Sequence, residues 1–480
     1  MIDFKRIFAK NKPSQPLPSR SVSAERKFFR ARFDAASNSP DNAKHWRAAE
    51  FLSADAEANE SVRKVLRTRA RYEIANNSYA KGMVLTLAND TIGTGPRLQV
   101  LSDDEKTNSA IERDFTRWSL LVDLAGKLRT MRMARCQDGE SFIAITTNPE
   151  LEHSVKLDIQ VIEADRVTNT EMNFDPLWVD GIRFDDYGNP VSYRVLKYHP
   201  GGNDFLVDTE TYRDIDAKYM IHYFRVDRPG LHRGVPEITP SLPLFAQLRR
   251  YTLAVLSAAE AAADFAGILY TDNPVSGESD NVEPLDSFEL ERNMLLTMPA
   301  GWKMGQLDPK QPTSTYSEFK TQVLNEMARC LNMPFNIAAG NSSGYNYASG
   351  RLDHQTYFKS LRVEQDYIGT RVLDRIFREW LKEYAVTKGI DAEQFVSHVW
   401  FWDGFEHVDP GKEANATDTK LKNHTTTLAA EYGKIGRDWE SALIQIAKEQ
   451  KKMRELGITS TENIPGAVWN IQEDEEDTEE

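Results

Sequence analysis

The sequence predicts an α+β fold, and three patterns support this class. Apolar residues recur every three or four positions in segments 41–88 and 111–135, which indicates amphipathic helices. Between residues 142 and 225 the apolar period changes to two, which indicates short strands. Two further long helical patterns, at 241–266 and 315–333, flank a turn-rich acidic segment. The chain therefore combines a mixed helix and strand region with a pair of long helices.

Length and composition allow more than one core. The chain has 480 residues, 40% of them hydrophobic, so we expect two or three domains or one multipart body. No apolar run reaches the roughly 18 residues that a membrane span needs, and the N-terminus has no secretory pattern, so we expect no membrane contact and synthesis in the cytoplasm. Cys136 and Cys330 each lie in a helical pattern and are expected to be reduced packing residues.

The charge is negative and unevenly distributed. A formal net charge of −14 argues against a protein that grips nucleic acid, because gripping requires Lys and Arg to displace counterions from phosphates. A protein through which nucleic acid slides would gain from an acidic or neutral lining, although solubility explains the charge equally well. Residues 1–33 are basic and proline-containing, which predicts a flexible arm, and residues 461–480 form an acidic tail that we expect to be disordered.

The α+β region is predicted to cover residues 34–240. Its DDYGNP run, residues 185–190, marks a hairpin turn between two strands. Asp is favoured at turns and strand ends for its local hydrogen bonds, so no metal site is expected from the aspartates at such positions. These are Asp165, Asp185, Asp186 and Asp204.

The paired long helices surround an acidic insert. The second half of helix 241–266 is alanine-rich, which suits close packing of neighbouring helices in a ring as well as ordinary burial. The insert, residues 267–314, offers carboxylates to a basic partner or is a solvated loop. The return helix 315–333 begins at a capping box of Thr315 and Glu318.

A loop of small, amide and aromatic residues lies in segment 334–350. It contains no nucleophile, acid pair or metal cluster, so it is a poor active site but suits contact with something that slides past it. Segment 351–408 begins as a long helix that Gly369 can bend and continues into the strand-like run HVWFWDGF. Segment 409–460 predicts two helices, at 412–432 and 438–456.

Motifs for catalysis are absent from the sequence. We find no nucleophile elbow, metalloprotease histidine pair, phosphate-binding loop or zinc framework, so we predict no catalytic residue, no metal site and no cofactor. His354 follows Asp353, but no nucleophile accompanies it, and a surface or interface histidine is the better interpretation.

Two long runs carry a family resemblance. RARYEIANNSYAKGMVLTLANDTIGTGPRL (69–98) and AAGNSSGYNYASGRLDHQTYF (338–358) closely resemble the lambda-type portal proteins of tailed bacteriophages. The resemblance extends from about residue 29 to about residue 457. It implies a portal-like multipart subunit that assembles into a ring, usually of twelve copies, around an axial channel.

The resemblance also implies an assignment of the segments. Region 34–240 would be a mixed α/β wing, 241–266 and 315–333 the paired stem helices, 267–314 a small clip, 334–350 the tunnel loop region, 351–408 the wing helix and strand, and 409–460 a helical crown. The ring would occupy one vertex of the capsid in the virion, nucleate head assembly and conduct double-stranded DNA during packaging and ejection. Its partners would be the terminase large subunit, the major capsid and scaffold proteins, and head-completion or tail adaptor proteins.

Site residues follow from the same resemblance. The DNA-proximal residues of the tunnel loop would be Asn341, Ser342, Ser343, Tyr345, Asn346, Tyr347 and Arg351. The clip residues that face the terminase would be Glu278, Asp280 and Glu283. Arg249 and Arg250 on helix 241–266 could reach the channel or pair with a neighbour, and the sequence leaves both open.

Other interpretations stay open at the level of sequence. The loop could pack against a neighbouring subunit instead of touching DNA. The protein could be a DNA-processing enzyme with an unfamiliar carboxylate site, which Mg²⁺-dependent cleavage abolished by Asp185→Ala would reveal. It could also be a capsid-wall or scaffold protein, which would assemble without a central hole.

Overall fold

The structure is a computed structural model that describes residues 44–169, 175, 177–202, 211–264, 268–271, 302–305, 316–344, 346–404, 410–434 and 439–457. The chain divides into two compact units, Met1–Leu52 and Ser53–Glu480. In the first unit, the described residues 44–52 contain a turn in which the Ala49 N–H donates to the Trp46 carbonyl at 3.0 Å. All elements below belong to the second unit.

The strands of the described residues form four antiparallel sheets. The strands are β1 (Arg97–Val100), β2 (Glu140–Thr147), β3 (Leu157–Ile162), β4 (Trp178–Val179), β5 (Ile182–Phe184), β6 (Pro190–Leu196), β7 (Tyr212–Asp216), β8 (Met220–Phe224), β9 (Ile268–Thr271), β10 (Trp302–Gly305) and β11 (His398–Phe401). The sheet orders are β3-β2-β8, β4-β5-β6-β7, β1-β11 and β10-β9.

Helices precede, separate and follow these sheets. They are α1 (Ala54–Glu57), α2 (Glu60–Asn76), α3 (Ser78–Ile92), α4 (Glu105–Leu121), α5 (Leu124–Asp138), α6 (Leu242–Asp264), α7 (Tyr316–Arg329), α8 (Phe335–Ala339), α9 (Tyr347–Ile368), α10 (Asp374–Lys388), α11 (Pro410–Lys422), α12 (Leu428–Lys434) and α13 (Trp439–Glu455). The mixed helix and sheet class predicted from the sequence is confirmed.

An aromatic core lies between α4, α5, α10 and the β3-β2-β8 sheet. Phe115 and Trp118 from α4 and Trp380 from α10 are fully buried, and the ring centroids of Phe115 and Trp380 lie 5.2 Å apart in an edge-on contact. Strand β11 brings Trp400 to the same cluster by pairing with β1, some 300 residues earlier in the chain. Aromatic burial of this extent is a major source of folding free energy.

The two larger sheets are joined by a second apolar cluster. Phe142 of β2 and Tyr193 of β6 meet in it, with ring centroids 5.8 Å apart. The predicted hairpin between β5 and β6 is present, and Gly188 occupies its left-handed position at φ 81°. Asp185 accepts hydrogen bonds from the backbone N–H groups of Tyr187 and Asn189, so it stabilises the turn as the sequence predicts.

A third core gathers the helices that carry the loop. It is built by α2, α3, α6, α7, α8 and the first half of α9. Phe245, Met327, Tyr357 and Leu361 are buried there with at most 1% of their surface exposed. The loop between α8 and α9 therefore starts and ends on helices that are packed into one cluster.

Helices α6 and α7 pair in antiparallel orientation. Ser241, at the start of α6, donates its hydroxyl to the Met327 carbonyl near the end of α7 at 3.2 Å. Thr252, further along α6, lies with its hydroxyl 3.2 Å from that of Tyr316, the first residue of α7. Strand β9 follows α6 and strand β10 precedes α7. The two strands pair with each other, with Thr271 opposite Trp302.

Three expectations from the sequence need correction. Helix α9 begins at Tyr347 instead of residue 351, because Asn346 stands before its first turn and its carbonyl accepts from Gly350 N–H at 3.0 Å. The segment predicted as one helix at 412–432 is divided into α11 and α12 by a turn in which His424 adopts φ 54°. The predicted bend at Gly369 is a π-helical turn, Gly369–Leu373, between α9 and α10.

Candidate functional site

The predicted tunnel loop is a short, exposed connection between α8 and α9. Residues 341–344 and 346 are exposed, and none of the six residues from 341 to 346 carries a charge. Tyr345 lies outside the described residues, and Tyr347 is the first residue of α9, where the structure describes its backbone. The exposed loop therefore ends at residue 346, four residues before the predicted end at residue 350, and its described side chains carry hydroxyl and amide groups.

Local hydrogen bonds determine how the chain enters the loop. Gly340 takes the left-handed conformation at φ 62° and ends α8, a position that favours glycine because no Cβ is present. Its N–H donates to the carbonyl groups of Asn336 and Ile337, and the next N–H, of Asn341, donates to Asn336 at 3.0 Å. The Asn341 side chain then accepts from Ser343 N–H at 2.9 Å.

The base of the loop is held by Asn336. This nearly buried side chain on α8 lies within hydrogen-bond distance of Ser342 Oγ, at 3.4 Å, and of His354 Nε2 on α9, at 3.0 Å. His354 is half-buried, so it joins the two helices beneath the loop and is not a free surface histidine. Asn336 therefore fixes the two ends of a loop whose outer residues make few contacts.

The remaining predicted site residues are distributed as follows. Arg351 is exposed in the second turn of α9, on the helix that leaves the loop. The predicted clip residues Glu278, Asp280 and Glu283 lie outside the described residues, as does Asp204. Of the predicted loop residues, Asn341 and Ser343 are in contact, Ser342 contacts Asn336, and Arg351 lies five residues after Asn346 on α9.

The two arginines of α6 whose partners the sequence leaves open have different surroundings. Arg249 forms an ion pair with Glu73 of α2, with Nη2 3.0 Å from Oε1, and its guanidinium lies over the Tyr72 ring. Its partner is therefore in its own chain, an outcome that the sequence interpretation did not include. Arg250 is exposed.

The second half of α6 presents apolar side chains to solvent. Leu253 and Leu256 are 58% and 55% exposed, and Phe319 on α7 is 49% exposed. Further along the return helix and in the turn after it, Met327 and Leu331 are buried. Exposed large apolar groups on adjacent helices are typical of surfaces that contact another protein.

One cluster of metal-ligand atoms was not anticipated. Glu163, Asp165 and His199 bring one donor atom each within 4.8 Å of one another. The carboxylates already carry cationic partners, since Arg71 lies 2.6 Å from Asp165 and 3.0 Å from Glu163. Burial by itself would raise the pKa of Asp165, but the guanidinium groups of Arg67 and Arg71 lower it. The cluster is therefore an ion-pair network; Glu163 and Asp165 lie two residues apart on one turn, but His199 comes more than 30 residues later, so the sequence does not reveal that they meet.

A buried carboxylate fixes the junction of α2 with the sheets. Glu140 has no exposed surface and binds Arg67, Arg233 and His222, with Arg233 Nη2 at 2.7 Å and His222 Nε2 at 2.8 Å. Burial alone would raise the pKa of Glu140, but Arg233 and Arg67 hold it well below its usual value. Burial also lowers the pKa of His222.

A second network of ion pairs links α5 to α9 and to the segment that precedes α6. Arg135 of α5 lies with Nη1 2.6 Å from Glu364 of α9 and with Nε 3.0 Å from Glu237, five residues before α6. Arg132 contributes a further ion pair to Glu237 at 2.8 Å. Although burial opposes ionisation, the arginines lower the pKa of Glu237 to about 2. These side chains therefore hold the helices around the loop in a fixed relation.

Comparison with known proteins identifies the class and then the family. The chain is a structural subunit of a phage particle, since the model for the phage portal protein, lambda family, matches residues 39–365. The chain belongs to this family, and it is a structural component of the virion at the portal vertex. The resemblance stated from the sequence is thereby confirmed.

The individual proteins that resemble this chain have low sequence identity to it. A probable portal protein of Halomonas phage phiHAP-1 is 24% identical over 457 residues, covering 87% of this chain and 86% of the relative. Among solved structures, a chain of the native gene transfer agent virion is 12% identical, with 77% of this chain and 92% of that chain covered and a TM-score of 0.45. A neck chain of the empty gene transfer agent particle, computed with C6 symmetry, is 14% identical with coverages of 81% and 92% and a TM-score of 0.44.

Among the described residues, no helix is long and apolar enough to span a bilayer.

Proposed function

We propose that copies of this chain form a ring, of twelve subunits in the family pattern, whose axial channel conducts double-stranded DNA passively during packaging and ejection. The observation that carries the proposal is the uncharged loop 341–346, exposed at its tip and anchored at its base by Asn336. Amide and hydroxyl groups exchange hydrogen bonds with phosphates at a net gain of about 0.5 to 1.5 kcal/mol each, so no single contact stops a sliding duplex.

The assembly part of the proposal is supported by the paired helices. The exposed Leu253, Leu256 and Phe319 offer apolar area for side-by-side packing of neighbouring α6–α7 pairs. In this arrangement 34–240 is the wing, α6 and α7 form the stem, 267–314 is the clip, residues 351–408 form the wing helix and strand, and α11, α12 and α13 form the crown. The DNA-proximal residues are Asn341, Ser342, Ser343, Tyr345, Asn346, Tyr347 and Arg351.

Each proposed partner is assigned to one of these parts of the ring. The terminase large subunit docks at the clip through Glu278, Asp280 and Glu283, while capsid, scaffold and adaptor proteins contact the rest of the ring. The chain itself is not an enzyme and needs no cofactor, so the motor supplies the energy for translocation. The candidate nuclease residue Asp185 is used in a hairpin turn, which favours this non-enzymatic role.

Negative-stain imaging of the purified chain tests the assembly, and rings with an axial bore are expected. Filled discs or sheets would favour a capsid-wall or scaffold protein instead. Incubation of the rings with Mg²⁺ and duplex DNA should leave the DNA intact. A cleavage activity that Asp185→Ala abolishes would contradict the non-enzymatic role.

The loop is tested by adding charge to it. We expect S342K/S343K to assemble into rings, because both residues are exposed, but to package less DNA per particle in a motor-driven assay, because two new ammonium groups per copy form ion pairs with phosphates and slow the sliding duplex. The variant S342A/S343A controls for loss of the hydroxyl groups and should remain close to the wild type. A deletion that extends to residue 349 is unsuitable, because it removes the first turn of α9. Equal packaging by the charged variant would show that the loop does not face DNA.

A further inference from the structure

Helix α9 carries a row of basic side chains that no described part of the chain neutralises. Arg351, Lys359 and Arg362 are all exposed, and within the described residues none of them forms a hydrogen bond or an ion pair. Other exposed lysines in the described residues do have carboxylate partners, for example Lys422 with Asp418 at 2.5 Å and Lys382 with Glu379 at 2.6 Å. Lys106, Arg113 and Arg117 of α4 are also exposed and form no ion pair within the described residues, so the distinguishing feature of the α9 cations is their place on the helix that leaves the loop.

The three cations share one line along the helix. At 3.6 residues per turn, Arg351, Gln355, Lys359 and Arg362 fall within about 80° of the helix circumference, and the row is about 17 Å long at 1.5 Å per residue. The opposite side of the helix is buried through Tyr357 and Leu361. We call Arg351, Lys359 and Arg362 the basic row; its first member is five residues beyond Asn346, the last residue of the loop.

We propose that the basic row binds the phosphate backbone of double-stranded DNA beside the tunnel loop; this inference rests on the proposed channel function and names a second contact in it. A DNA duplex carries one negative charge per about 1.7 Å of its axis, both strands counted, so phosphates lie beside a row about 17 Å long at any sequence or helical phase. The contact is therefore independent of sequence. The uncharged loop lets the duplex slide, and the basic row holds it near the loop by long-range attraction.

A neighbouring subunit is the competing occupant of this surface. Leu352 and Val363, 67% and 66% exposed, lie next to the basic row and could form part of a subunit contact. DNA is favoured for the row itself because the row begins five residues beyond the loop that is proposed to face DNA, a position that the α4 cations do not share, and because Gln355, the other exposed side chain within the row, is a hydrogen-bond donor that suits phosphate.

The test removes the three charges and compares a matched variant. R351Q/K359Q/R362Q loses two Arg and one Lys from α9, and K106Q/R113Q/R117Q loses the same set from exposed positions of α4, which is packed in a different core. Binding of a 30-base-pair linear duplex to purified full-length rings is measured by fluorescence anisotropy between 50 and 200 mM NaCl. Rings are counted by negative stain for each variant.

We expect the α9 variant to bind DNA about tenfold more weakly at the lowest salt, with the slope of log affinity against log salt reduced by about 0.9 for each phosphate that the variant no longer neutralises. The α4 variant should behave as the wild type. Unchanged binding by the α9 variant, equal weakening in both variants, or failure of the α9 variant alone to form rings would each overturn the proposal; the last result would assign the row to a subunit contact. Absence of rings in the wild type would instead refute the proposed function, and the difference between the two variants can still be read on the unassembled chain.

Discussion

Replacing Glu237 by Gln should weaken the junction at which α6 joins the rest of the subunit. The Glu237 carboxylate is 5% exposed and has three arginine partners: Arg132 at 2.8 Å, Arg135 at 3.0 Å and Arg225 at 3.3 Å. Glutamine keeps the size of the side chain but removes its charge. Arg132 and Arg135, both buried, then lose their shared counter-ion.

The magnitude follows from the pKa of the carboxyl group. A pKa that falls from 4.5 in the unfolded chain to about 2 in the folded chain corresponds to roughly 3 kcal/mol of folding free energy. Removal of one partner from a buried ion pair costs about 3 to 5 kcal/mol in other proteins, which is the same order. Because the folded-state pKa is lowered, this stabilisation is fully present above pH 4.5 and is lost as the pH falls from 4.5 towards 2.

Urea unfolding followed by tryptophan fluorescence measures both consequences. At pH 7 we expect the Glu237→Gln variant to unfold at a clearly lower urea concentration, and the difference from the wild type should shrink between pH 4.5 and pH 3. Glu57→Gln is the control, because Glu57 and its partner Arg228 are 67% and 49% exposed and such a surface pair contributes about 0 to 1 kcal/mol. A Glu237→Gln variant as stable as the wild type at pH 7, or a difference independent of pH, would refute the reasoning.

Three further substitutions test close contacts near the same helices. Gly139→Ala should destabilise the fold strongly, because Gly139 has φ 87° and a Cβ would lie 2.4 Å from the Val235 carbonyl carbon. Gly369→Ala should instead be neutral or stabilise the fold by up to about 1 kcal/mol, because its Cβ would meet only Trp400 at 3.5 Å. Equal thermal shifts for the two variants would contradict this contrast. Tyr357→Phe should cost about 1.5 to 3 kcal/mol in urea unfolding, because the hydroxyl donates to Asp90 at 2.8 Å; an unchanged midpoint would show that this bond contributes nothing.

The sequence predicts those features that depend on neighbouring residues. Strands β2 and β3, the hairpin at Asp185 and the long helices are local patterns, and all are present. Strand β1 was missed because its four residues form a strand only by pairing with β11, about 300 residues later. The early start of α9 was missed because Ser349 and Gly350 are weak helix formers, and the capping position of Asn346 outweighs them.

The candidate site also has features that the sequence reveals and features that depend on tertiary packing. The uncharged, exposed character of the loop can be read from residues 341–346 directly, whereas its anchor cannot, because Asn336 and His354 meet only when α8 and α9 pack together. Arg249 shows the same limit, since its partner Glu73 lies on α2. The assignment of loop and clip residues to DNA and terminase stays a prediction, and the experiments above test the loop.

A loop that touches a moving polymer must be carried by elements that do not move with it. Force on residues 341–346 passes first to Asn336 and to the ends of α8 and α9, which are packed in one apolar core. It then reaches Glu364 on α9, whose ion pair with Arg135 connects it to Glu237 before α6. Because Arg135 and Glu237 are buried and fully ionised at neutral pH, separating them would expose unpaired charge in a dry environment, which is costly. In the proposed channel, the helices that carry the loop would therefore keep their positions in the subunit when DNA contacts it.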